Sequence, residues 1–218
     1  MLKNMKPKKI DYSLYLVTDR GLARGRSTFD IVKAAVSGGV TCVQLREKDC
    51  STLEFIEQAL AIKNFLEERE VPLIINDRLD VALAVAADGV HLGQSDMPLE
   101  TARKIAGPSM LIGISAESVQ DAVEAEKGGA DYLGVSPIYA TPTKTDTVPP
   151  LGLEGLRKIR KRVEIPLVGI GGLNTSNAAE VIRNGADGIA VVSAIVAAED
   201  PGTAAINLKQ IIIEARNT

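Results

Sequence analysis

Residues 73–96 read LIINDRLDVALAVAADGVHLGQSD, and this stretch is the clearest guide to the fold. It contains two short apolar runs, Leu73–Asn76 and Gly89–Leu92, with the length and composition of buried strands. Between them lies a segment of helical period that begins near Leu79. A strand, a helix and a second strand in this order form a βαβ unit, whose two strands run parallel in one sheet.

The same alternation continues along the chain. It predicts strands at Leu14–Thr18, Thr41–Leu45, Leu73–Asn76, Gly89–Leu92, Leu111–Ser115, Tyr132–Ser136, Leu167–Ile170 and Gly188–Val191. It predicts helices that begin near Thr28, Thr52, Leu79, Leu99, Val119, Leu153, Thr175 and Pro201, with Ser27, Ser51 and Ser118 as N-caps and Asn174 close to another. Eight such units indicate one α/β domain over residues 1–218, a single (β/α)8 TIM barrel, with residues 1–10 as a flexible N-terminal segment. An open doubly wound sheet needs similar elements, so the count alone leaves closure of the barrel open.

Three short segments of similar sequence join a helix end to a strand start. They are Ala87-Asp88-Gly89-Val90, Gly129-Ala130-Asp131-Tyr132 and Gly185-Ala186-Asp187-Gly188. Small residues end the helix, and the aspartate can bond backbone amides at the turn. We expect these segments at the bottom of the barrel, where they serve stability and take no part in catalysis.

Composition argues against several classes of partner. Aromatic residues make up 3% of the chain, tryptophan is absent and the net charge is -3. Base stacking needs aromatic rings and duplex binding needs a basic surface, so nucleic acid is not an expected ligand. The lysines at positions 3, 6, 8 and 9 precede no apolar segment of the secretory type, and no stretch has the roughly 20 apolar residues of a membrane span. Cys42 and Cys50 lack CxxC spacing and are expected as reduced thiols, so we expect a cytoplasmic enzyme.

Charged and amide residues follow the ends of the predicted strands. They are Gln44–Lys48, Asn76-Asp77-Arg78, Gln94-Ser95-Asp96, Thr141–Lys144 and Gly171-Gly172. In a barrel of parallel strands all carboxyl ends share one rim, where barrel enzymes carry out their chemistry. The pattern therefore predicts one pocket with cations, acids and phosphate-compatible backbone, and an enzyme that acts on phosphorylated small molecules.

Asp77 and Asp96 follow neighbouring strands, so their carboxylates are expected to be close together. Mg2+ binds one or two carboxylates plus waters and substrate phosphates, and it removes the repulsion between the two acids. The alternative is that each acid serves as an N-cap or a loop ion pair. Arg46, Lys48 and Lys144 supply the cations that a metal-bound diphosphate needs, although Lys48 and Glu47 could instead be solvated loop charges.

Backbone features predict where a phosphate binds. Gly171-Gly172 after the seventh strand and Val192-Ser193 after the eighth occupy the usual phosphate position of such barrels. Gly113 with Ser115, Gly134 with Ser136 and Gly169 with Gly171 each share one strand face; if that face points inward it leaves room for a ring-sized ligand. The alternative is that these glycines mark bulges or tight backbone contacts. Ser115 is a candidate hydrogen-bond donor to substrate or a turn serine, His91 is expected as a structural histidine, and Cys42 as a small core residue.

The chain resembles the thiamine-phosphate synthase family in a series of short motifs. They occur in the family's order along the chain, from Leu16-Val17-Thr18-Asp19 to Val191-Val192-Ser193. The motifs between them are Gln44–Lys48, Asn76-Asp77, His91-Leu92-Gly93-Gln94 with Asp96, Gly113-Ile114-Ser115, Thr141–Lys144 and Ile170-Gly171-Gly172. The resemblance implies a (β/α)8 barrel that joins hydroxymethylpyrimidine diphosphate to a thiazole phosphate and releases pyrophosphate with Mg2+ present. It further implies a dissociative mechanism, in which pyrophosphate leaves before the thiazole nitrogen attacks.

The resemblance also implies roles for individual residues. The pyrimidine diphosphate would be contacted by Gln44, Leu45, Arg46, Glu47, Lys48 and Asn76. Mg2+ would be bound by Asp77 and Asp96. Ser115 and Lys144 would hold the pyrimidine or the diphosphate, and together with Arg46 and Lys48 they are the predicted catalytic residues. The thiazole phosphate would be received by Thr141, Pro142, Thr143, Gly172, Val192 and Ser193, beside the Gly171 of the predicted phosphate turn.

Two positions depart from the family pattern. Ser136 stands where the family often has glycine, which could narrow the thiazole pocket, and Glu117 stands where a related thiazole tautomerase has histidine. That tautomerase branch also lacks the Thr-Pro-Thr-Lys segment, so both features favour the synthase. The alternatives are a tautomerase-like isomerase and a non-catalytic barrel that binds thiamine intermediates. A homo-oligomer is possible.

Overall fold

Eight parallel strands close into a barrel in which each strand pairs with its neighbours in sequence and β8 pairs with β1. The computed structural model describes residues 10–141 and 149–217. The strands are β1 (Leu14–Val17), β2 (Cys42–Leu45), β3 (Leu73–Asn76), β4 (Gly89–Leu92), β5 (Leu111–Ala116), β6 (Tyr132–Val135), β7 (Leu167–Ile170) and β8 (Gly188–Val191). The predicted TIM barrel is confirmed, and each strand lies within one residue of its predicted bounds. Of the predicted flexible segment at residues 1–10, only Ile10 belongs to the described residues.

Helices follow the strands on the outside of the barrel. They are α1 (Thr28–Ser37), α2 (Thr52–Glu67), α3 (Leu79–Ala84), α4 (Leu99–Ala106), α5 (Val119–Lys127), α6 (Gly152–Arg160), α7 (Ala178–Arg183), α8 (Ser193–Val196) and α9 (Pro201–Arg216), with a short 3-10 helix at Arg20–Leu22. Within these ranges no helix combines the length and apolar character needed to cross a bilayer.

The predicted helix starts agree with the caps that the structure contains. The hydroxyls of Ser27, Ser51 and Ser118 each accept a hydrogen bond from the third backbone N–H of the helix that follows. The start of α7 differs from its prediction because the Asn174 side chain accepts from Ser176, which forms a turn before the helix begins at Ala178. The four-residue α8 was not predicted, since it is too short to show a helical period.

Apolar residues form two layers. The larger layer packs the outer faces of the strands against the helices. The smaller one fills the inside of the barrel and consists of Tyr12, Tyr15, Val17, Cys42, Ile74, Leu111, Tyr132, Val168 and Ala190. Because successive side chains of a strand point to opposite faces, every strand except β4 contributes to both layers; the remaining positions of β4 are Gly89 and His91.

Three aspartates at the bottom of the barrel tie neighbouring strands together. The carboxylate of Asp88, just before β4, accepts from the backbone N–H of Leu73 at 2.9 Å. Asp131 accepts in the same way from Ile112 at 2.7 Å, and Asp187 from Leu167 at 2.8 Å. These aspartates were expected to bond backbone amides at their own turns; the amides that they bond instead belong to the start of the preceding strand.

The glycine-rich faces divide between the inside and the outside of the barrel. A side-chain carbon at Gly113 would lie 2.1 Å from Cζ of Tyr132, and one at Gly134 would lie 3.0 Å from Cε1 of His91, so both positions face inward. At Gly169 the same carbon would lie 2.6 Å from Cγ1 of Val181 on α7, so this glycine faces outward. Of the two alternatives, inward-facing glycines or tight backbone contacts, the first therefore does not hold for Gly169, and at Gly113 and Gly134 the rings of Tyr132 and His91 occupy the space beside the glycine.

Candidate active site

The carboxyl ends of the strands surround a cavity of about 450 Å3. Most of the predicted site residues line it: Gln44, Arg46, Lys48, Asn76, Asp77, Asp96, Ser115, Thr141, Gly171, Gly172, Val192 and Ser193. Pro142, Thr143 and Lys144 lie outside the described residues. Residues from β2 through β8 thus meet in one place although they are spread over some 150 positions of sequence.

Leu45 and Glu47 are placed away from the cavity. Leu45 is fully buried in the layer between strands and helices, because alternation along β2 turns it away from Gln44 and Arg46. The Glu47 side chain is 2% exposed and pairs with Arg20 at 3.1 Å, and its second carboxylate oxygen is buried without a hydrogen bond. Burial raises the pKa of Glu47, an effect that the Arg20 guanidinium opposes. This geometry does not support the predicted contact of Leu45 and Glu47 with the substrate. The ion pair of Glu47 and Arg20 instead joins the loops that follow β1 and β2.

Arg46 is held by the end of β1. Its Nη1 lies 2.8 Å from Oδ2 of Asp19, and its backbone N–H donates to the hydroxyl of Thr18 at 2.9 Å. The guanidinium keeps about a quarter of its surface exposed, toward the cavity. A guanidinium with one side paired and another open can bind an anionic ligand without first reorganising.

Lys48 and Asp77 form an ion pair across the rim, with Nζ and Oδ2 2.5 Å apart. Asp77 has a left-handed backbone with φ of 62°, and its N–H donates to the carbonyl of His91 at 2.8 Å. This conformation is uncommon outside glycine, and it places the carboxylate above the strand ends. Burial alone would raise the pKa of Asp77, but hydrogen bonds from Lys48 and Asp96 hold that pKa below its ordinary value.

Asp96 lies beside Asp77, so the predicted pairing of the two acids is what the structure shows. Its Oδ2 accepts from the backbone N–H of Gly93 at 2.7 Å. Burial and the hydrogen bond to Asp77 raise the pKa of Asp96 above its ordinary value. Two neighbouring carboxylates repel each other when both are ionised, so a cation between them is favourable.

The donor set at this place fits Mg2+. Proteins usually bind Mg2+ through one or two carboxylates, and water and substrate phosphates supply the remaining ligands. Within residues 10–141 and 149–217, His, Cys, Asp and Glu form no group of three or more with metal-binding geometry, so the donor set does not resemble a closed structural metal site.

A chain of hydrogen bonds crosses the floor of the cavity; we call it the hydroxyl relay, and it consists of Gln44, Tyr15, Tyr132, His91 and Ser115. Gln44 Nε2 donates to the hydroxyl of Tyr15 at 3.1 Å, and the hydroxyls of Tyr15 and Tyr132 are 2.9 Å apart. The Tyr132 hydroxyl lies 3.0 Å from His91 Nδ1, and His91 Nε2 lies 3.0 Å from Ser115 Oγ. The histidine is thus hydrogen-bonded through both nitrogens, as a structural histidine would be, yet it also borders the cavity.

The relay is the part of the site that the sequence did not reveal. Tyr15 and Tyr132 are 1% and 0% exposed, and their positions in strands give them the sequence context of ordinary core aromatics. Gln94, which follows β4, donates to the carbonyl of Ser115 and extends the network to the rim. Cys42 lies in the same inner layer, and burial raises the pKa of its thiol well above the ordinary value, which agrees with its predicted role as a core residue.

The opposite side of the cavity is formed by backbone. Gly171 and Gly172 both have positive φ, 102° and 65°. A side-chain carbon would fall 2.8 Å from Pro137 Cβ at the first and 2.7 Å from the Ala140 carbonyl at the second, so only glycine fits between β7 and the loop after β6. Val192 and Ser193 begin α8 beside this turn. At the two glycines this wall has no side chains, which lets a ligand approach the main chain closely there.

Arg26 secures this wall from outside. Its guanidinium donates to the carbonyl of Val196 at 2.8 Å and to that of Glu199 at 3.1 Å, at the carboxyl end of α8. These carbonyls have no further helical turn to bond them, so the arginine satisfies them and fixes α8 against the loop before α1.

A barrel that brings two carboxylates, two cations and a glycine turn to the carboxyl ends of its strands has the composition of an enzyme for small phosphorylated substrates. A family model described as thiamine monophosphate synthase matches residues 14–195. The chain belongs to this family.

Individual relatives agree with this assignment. The chain is 58% identical to the thiamine-phosphate synthase of Albidiferax ferrireducens, over 91% of each chain. It is 55% identical to that of Chloroflexus aurantiacus, over 93% of this chain and 94% of the relative. Among solved structures, thiamine phosphate pyrophosphorylase from Pyrococcus furiosus is 44% identical and superposes with a TM-score of 0.87, over 94% of this chain and 97% of that one.

Proposed function

We propose that this chain is a thiamine-phosphate synthase, a transferase that joins hydroxymethylpyrimidine diphosphate to a thiazole phosphate and releases pyrophosphate. The observation that carries the proposal is the meeting of Arg46, Lys48, Asp77 and Asp96 on one side of a single cavity, opposite the Gly171-Gly172 turn. One side suits a diphosphate and the other a monophosphate, as a two-substrate condensation requires.

The reaction breaks the bond between the pyrimidine methylene carbon and the diphosphate oxygen. The electron pair leaves with pyrophosphate, and the positive charge that remains on the methylene is delocalised into the aminopyrimidine ring. The thiazole nitrogen then supplies the electron pair of the new C–N bond, and the ring becomes a thiazolium. No proton moves in these steps, which suits a site that acts by position and electrostatics.

Arg46 and Lys48 would stabilise the leaving group. Negative charge grows on the bridging oxygen as the C–O bond breaks, and opposite unit charges 4 Å apart attract by roughly 4 kcal/mol at an effective dielectric of 20. Arg46 is held in place by Asp19 at 2.8 Å before substrate arrives. Lys48 is half exposed and pairs with Asp77, and it can turn from that carboxylate to the diphosphate.

Asp77 and Asp96 would hold Mg2+. When bound, the ion would neutralise charge on the diphosphate and so make pyrophosphate a better leaving group. The two aspartates provide only carboxylate oxygens, and this leaves most of the coordination to water and phosphate oxygens, as Mg2+ prefers.

Gln44, Asn76 and Ser115 would hold the pyrimidine on the floor of the cavity. The thiazole phosphate would bind on the opposite side at Thr141, Gly171, Gly172, Val192 and Ser193, where the main chain is open to it. Gly134 lines the cavity and brings no side chain of its own into it. The thiazole nitrogen can then reach the methylene carbon with little further movement.

The test supplies both substrates, with Mg2+ or with a chelator, and follows pyrophosphate and thiamine phosphate separately. We expect both products in equal amounts, and none in the presence of the chelator. Interconversion of thiazole tautomers without condensation would favour an isomerase. Binding of both substrates without either reaction would favour a barrel that has lost catalysis. Condensation at an unchanged rate with chelator would remove the metal role of Asp77 and Asp96.

A further inference from the structure

The hydroxyl relay has a direction. The Nε2 of Gln44 can only donate, so the Tyr15 oxygen accepts from it at 3.1 Å. Tyr15 then gives its single hydrogen to the Tyr132 oxygen, and Tyr132 gives its own to His91 Nδ1. His91 therefore carries its hydrogen on Nε2 and donates to Ser115 Oγ. Tyr15, Tyr132 and neutral His91 each have one hydrogen to give, so the direction at one end determines the direction at the other.

Burial keeps this arrangement intact. Burial raises the pKa of Tyr15 well above its ordinary value, and the hydrogen bond to Tyr132 adds to the effect. Burial likewise raises the pKa of Tyr132. Both phenols are therefore neutral and keep their hydrogens, and the inner apolar layer excludes the water that could otherwise replace a partner.

The two ends of the relay lie in the lining of the cavity. Because the Gln44 amide directs its nitrogen to Tyr15, its carbonyl oxygen, an acceptor, points away from the relay. Because Ser115 Oγ receives a hydrogen from His91, its own hydroxyl hydrogen stays free to be donated to a ligand. An aminopyrimidine carries an exocyclic N–H donor beside a ring-nitrogen acceptor, which is the complementary pattern. A 4-oxopyrimidine carries an oxygen acceptor beside a ring N–H donor, which is the opposite pattern.

We propose that Tyr15, Tyr132 and His91 are positioning residues that fix the hydrogen-bond polarity of Gln44 and Ser115 and thereby select a 4-aminopyrimidine over a 4-oxopyrimidine. The proposal rests on the proposed function, since it concerns the pyrimidine substrate of that reaction. To accept the oxo ring, Gln44 must rotate its amide by half a turn. The relay opposes that rotation, because every hydroxyl and the histidine tautomer must reverse with it.

Removing one hydroxyl from the middle of the relay tests the proposal. Tyr132→Phe keeps the ring but separates Gln44 from Ser115, so each end can reorient alone. The measured quantity is the preference, the ratio of kcat/KM for the 4-amino pyrimidine diphosphate to kcat/KM for its 4-oxo analogue. Comparing this ratio between variants cancels the difference in intrinsic reactivity of the two compounds. We expect Tyr132→Phe to lower the preference by about tenfold or more. In the wild type, binding of the oxo analogue leaves a buried polar group of the relay unpaired. In the variant the two ends can reorient separately, so the oxo analogue no longer carries this extra cost.

Two further variants guard against a merely structural effect. Tyr15→Phe interrupts the relay at the neighbouring hydroxyl and is expected to lower the preference in the same way. Tyr12→Phe is the matched control, because the Tyr12 ring packs on Tyr132 with centroids 4.6 Å apart but its hydroxyl is outside the relay. It is expected to change the preference less than about twofold.

The outcomes separate this inference from the proposed function. If the wild-type chain forms no thiamine phosphate, the proposed function fails and the inference falls with it. If it forms the product and both relay variants keep the wild-type preference, only the inference is overturned. A fall in preference that is equally large in Tyr12→Phe would also overturn it, because packing and not polarity would then be the cause.

Discussion

Lys48 Nζ lies 2.5 Å from Asp77 Oδ2, so the cation proposed for the leaving group and a carboxylate proposed for the metal neutralise each other when neither ligand is bound. The lysine is half exposed and the aspartate is one-fifth exposed, and both border the same cavity. A diphosphate bound together with Mg2+ would separate this pair, because Asp77 would bind the metal and Lys48 would bind the diphosphate.

Lys48→Met is expected to lower turnover without weakening Mg2+ binding. Turnover should fall about 100-fold or more, the loss typical of removing one transition-state stabiliser. Mg2+ should bind the free protein at least as tightly as before, because the lysine no longer competes for Asp77. Steady-state kinetics and calorimetric titration with Mg2+ measure the two effects. Lys104→Met, which breaks an exposed pair with Glu100 on α4, is the control. Near-normal turnover, or weaker Mg2+ binding, would contradict the role given to Lys48.

Asp96→Asn is expected to abolish Mg2+ binding while leaving the fold intact. The asparagine oxygen can still accept from the Gly93 N–H, so the loop after β4 keeps its hydrogen bond. Turnover should fall by about 100-fold or more, with little change in thermal stability. Asp80→Asn makes the same substitution at an exposed ion pair with Arg78 and should leave turnover unchanged. Retained Mg2+ binding in the Asp96 variant would show that the metal lies elsewhere.

Gly172→Ala is expected to damage the thiazole phosphate side of the cavity. The new carbon would meet the Ala140 carbonyl at 2.7 Å, so the wall must move. The KM for the thiazole phosphate should rise about tenfold, while the KM for the pyrimidine diphosphate stays within about twofold. Gly129→Ala is a matched control with φ of 86° and no atom within 4 Å of the new carbon. If both variants raise that KM equally, backbone strain and not the wall is responsible.

Asp131→Ala is expected to lower stability without changing catalysis. The carboxylate accepts from the Ile112 N–H at 2.7 Å and from Arg103 at 2.6 Å, at the end of the barrel away from the cavity. Its removal leaves a buried donor unpaired, which should lower the free energy of unfolding by about 2–4 kcal/mol. Asp131→Asn keeps an acceptor for the amide and should cost roughly half as much. Urea unfolding and steady-state kinetics give the two readings, and a large fall in kcat would refute the separation between the two ends.

The sequence predicted most of the fold because strands and helices of a barrel repeat with clear periods. Strand ends such as Asn76 and Ile170 also located the rim, since polar residues and glycines follow the apolar runs there. Periodicity cannot show how residues far apart in sequence bond inside the barrel. Tyr15 and Tyr132 are separated by 117 positions, and each resembles an ordinary core aromatic until both are placed in one interior.

Other differences have similar causes. Alternation along β7 groups Gly169 with Gly171, but a side-chain carbon at Gly169 would meet Val181 of α7, so this glycine faces outward. Glu47 lies between Arg46 and Lys48, which both reach the cavity. Alternation of side chains turns Glu47 away from them, and it pairs with Arg20 instead. The short α8 has too few residues for a periodic signal, so only its neighbours in space define it.

The aspartates before β4, β6 and β8 give the barrel an anchorage that is independent of its rim. Each aspartate accepts a hydrogen bond from the strand before it. Every second pair of neighbouring strands from β3 to β8 is therefore linked by a side chain at the end of the barrel away from the cavity. A molecule built in this way can accumulate changes in its upper loops during evolution while its lower end keeps the same closure. New substrate preferences can then arise without a simultaneous redesign of the scaffold.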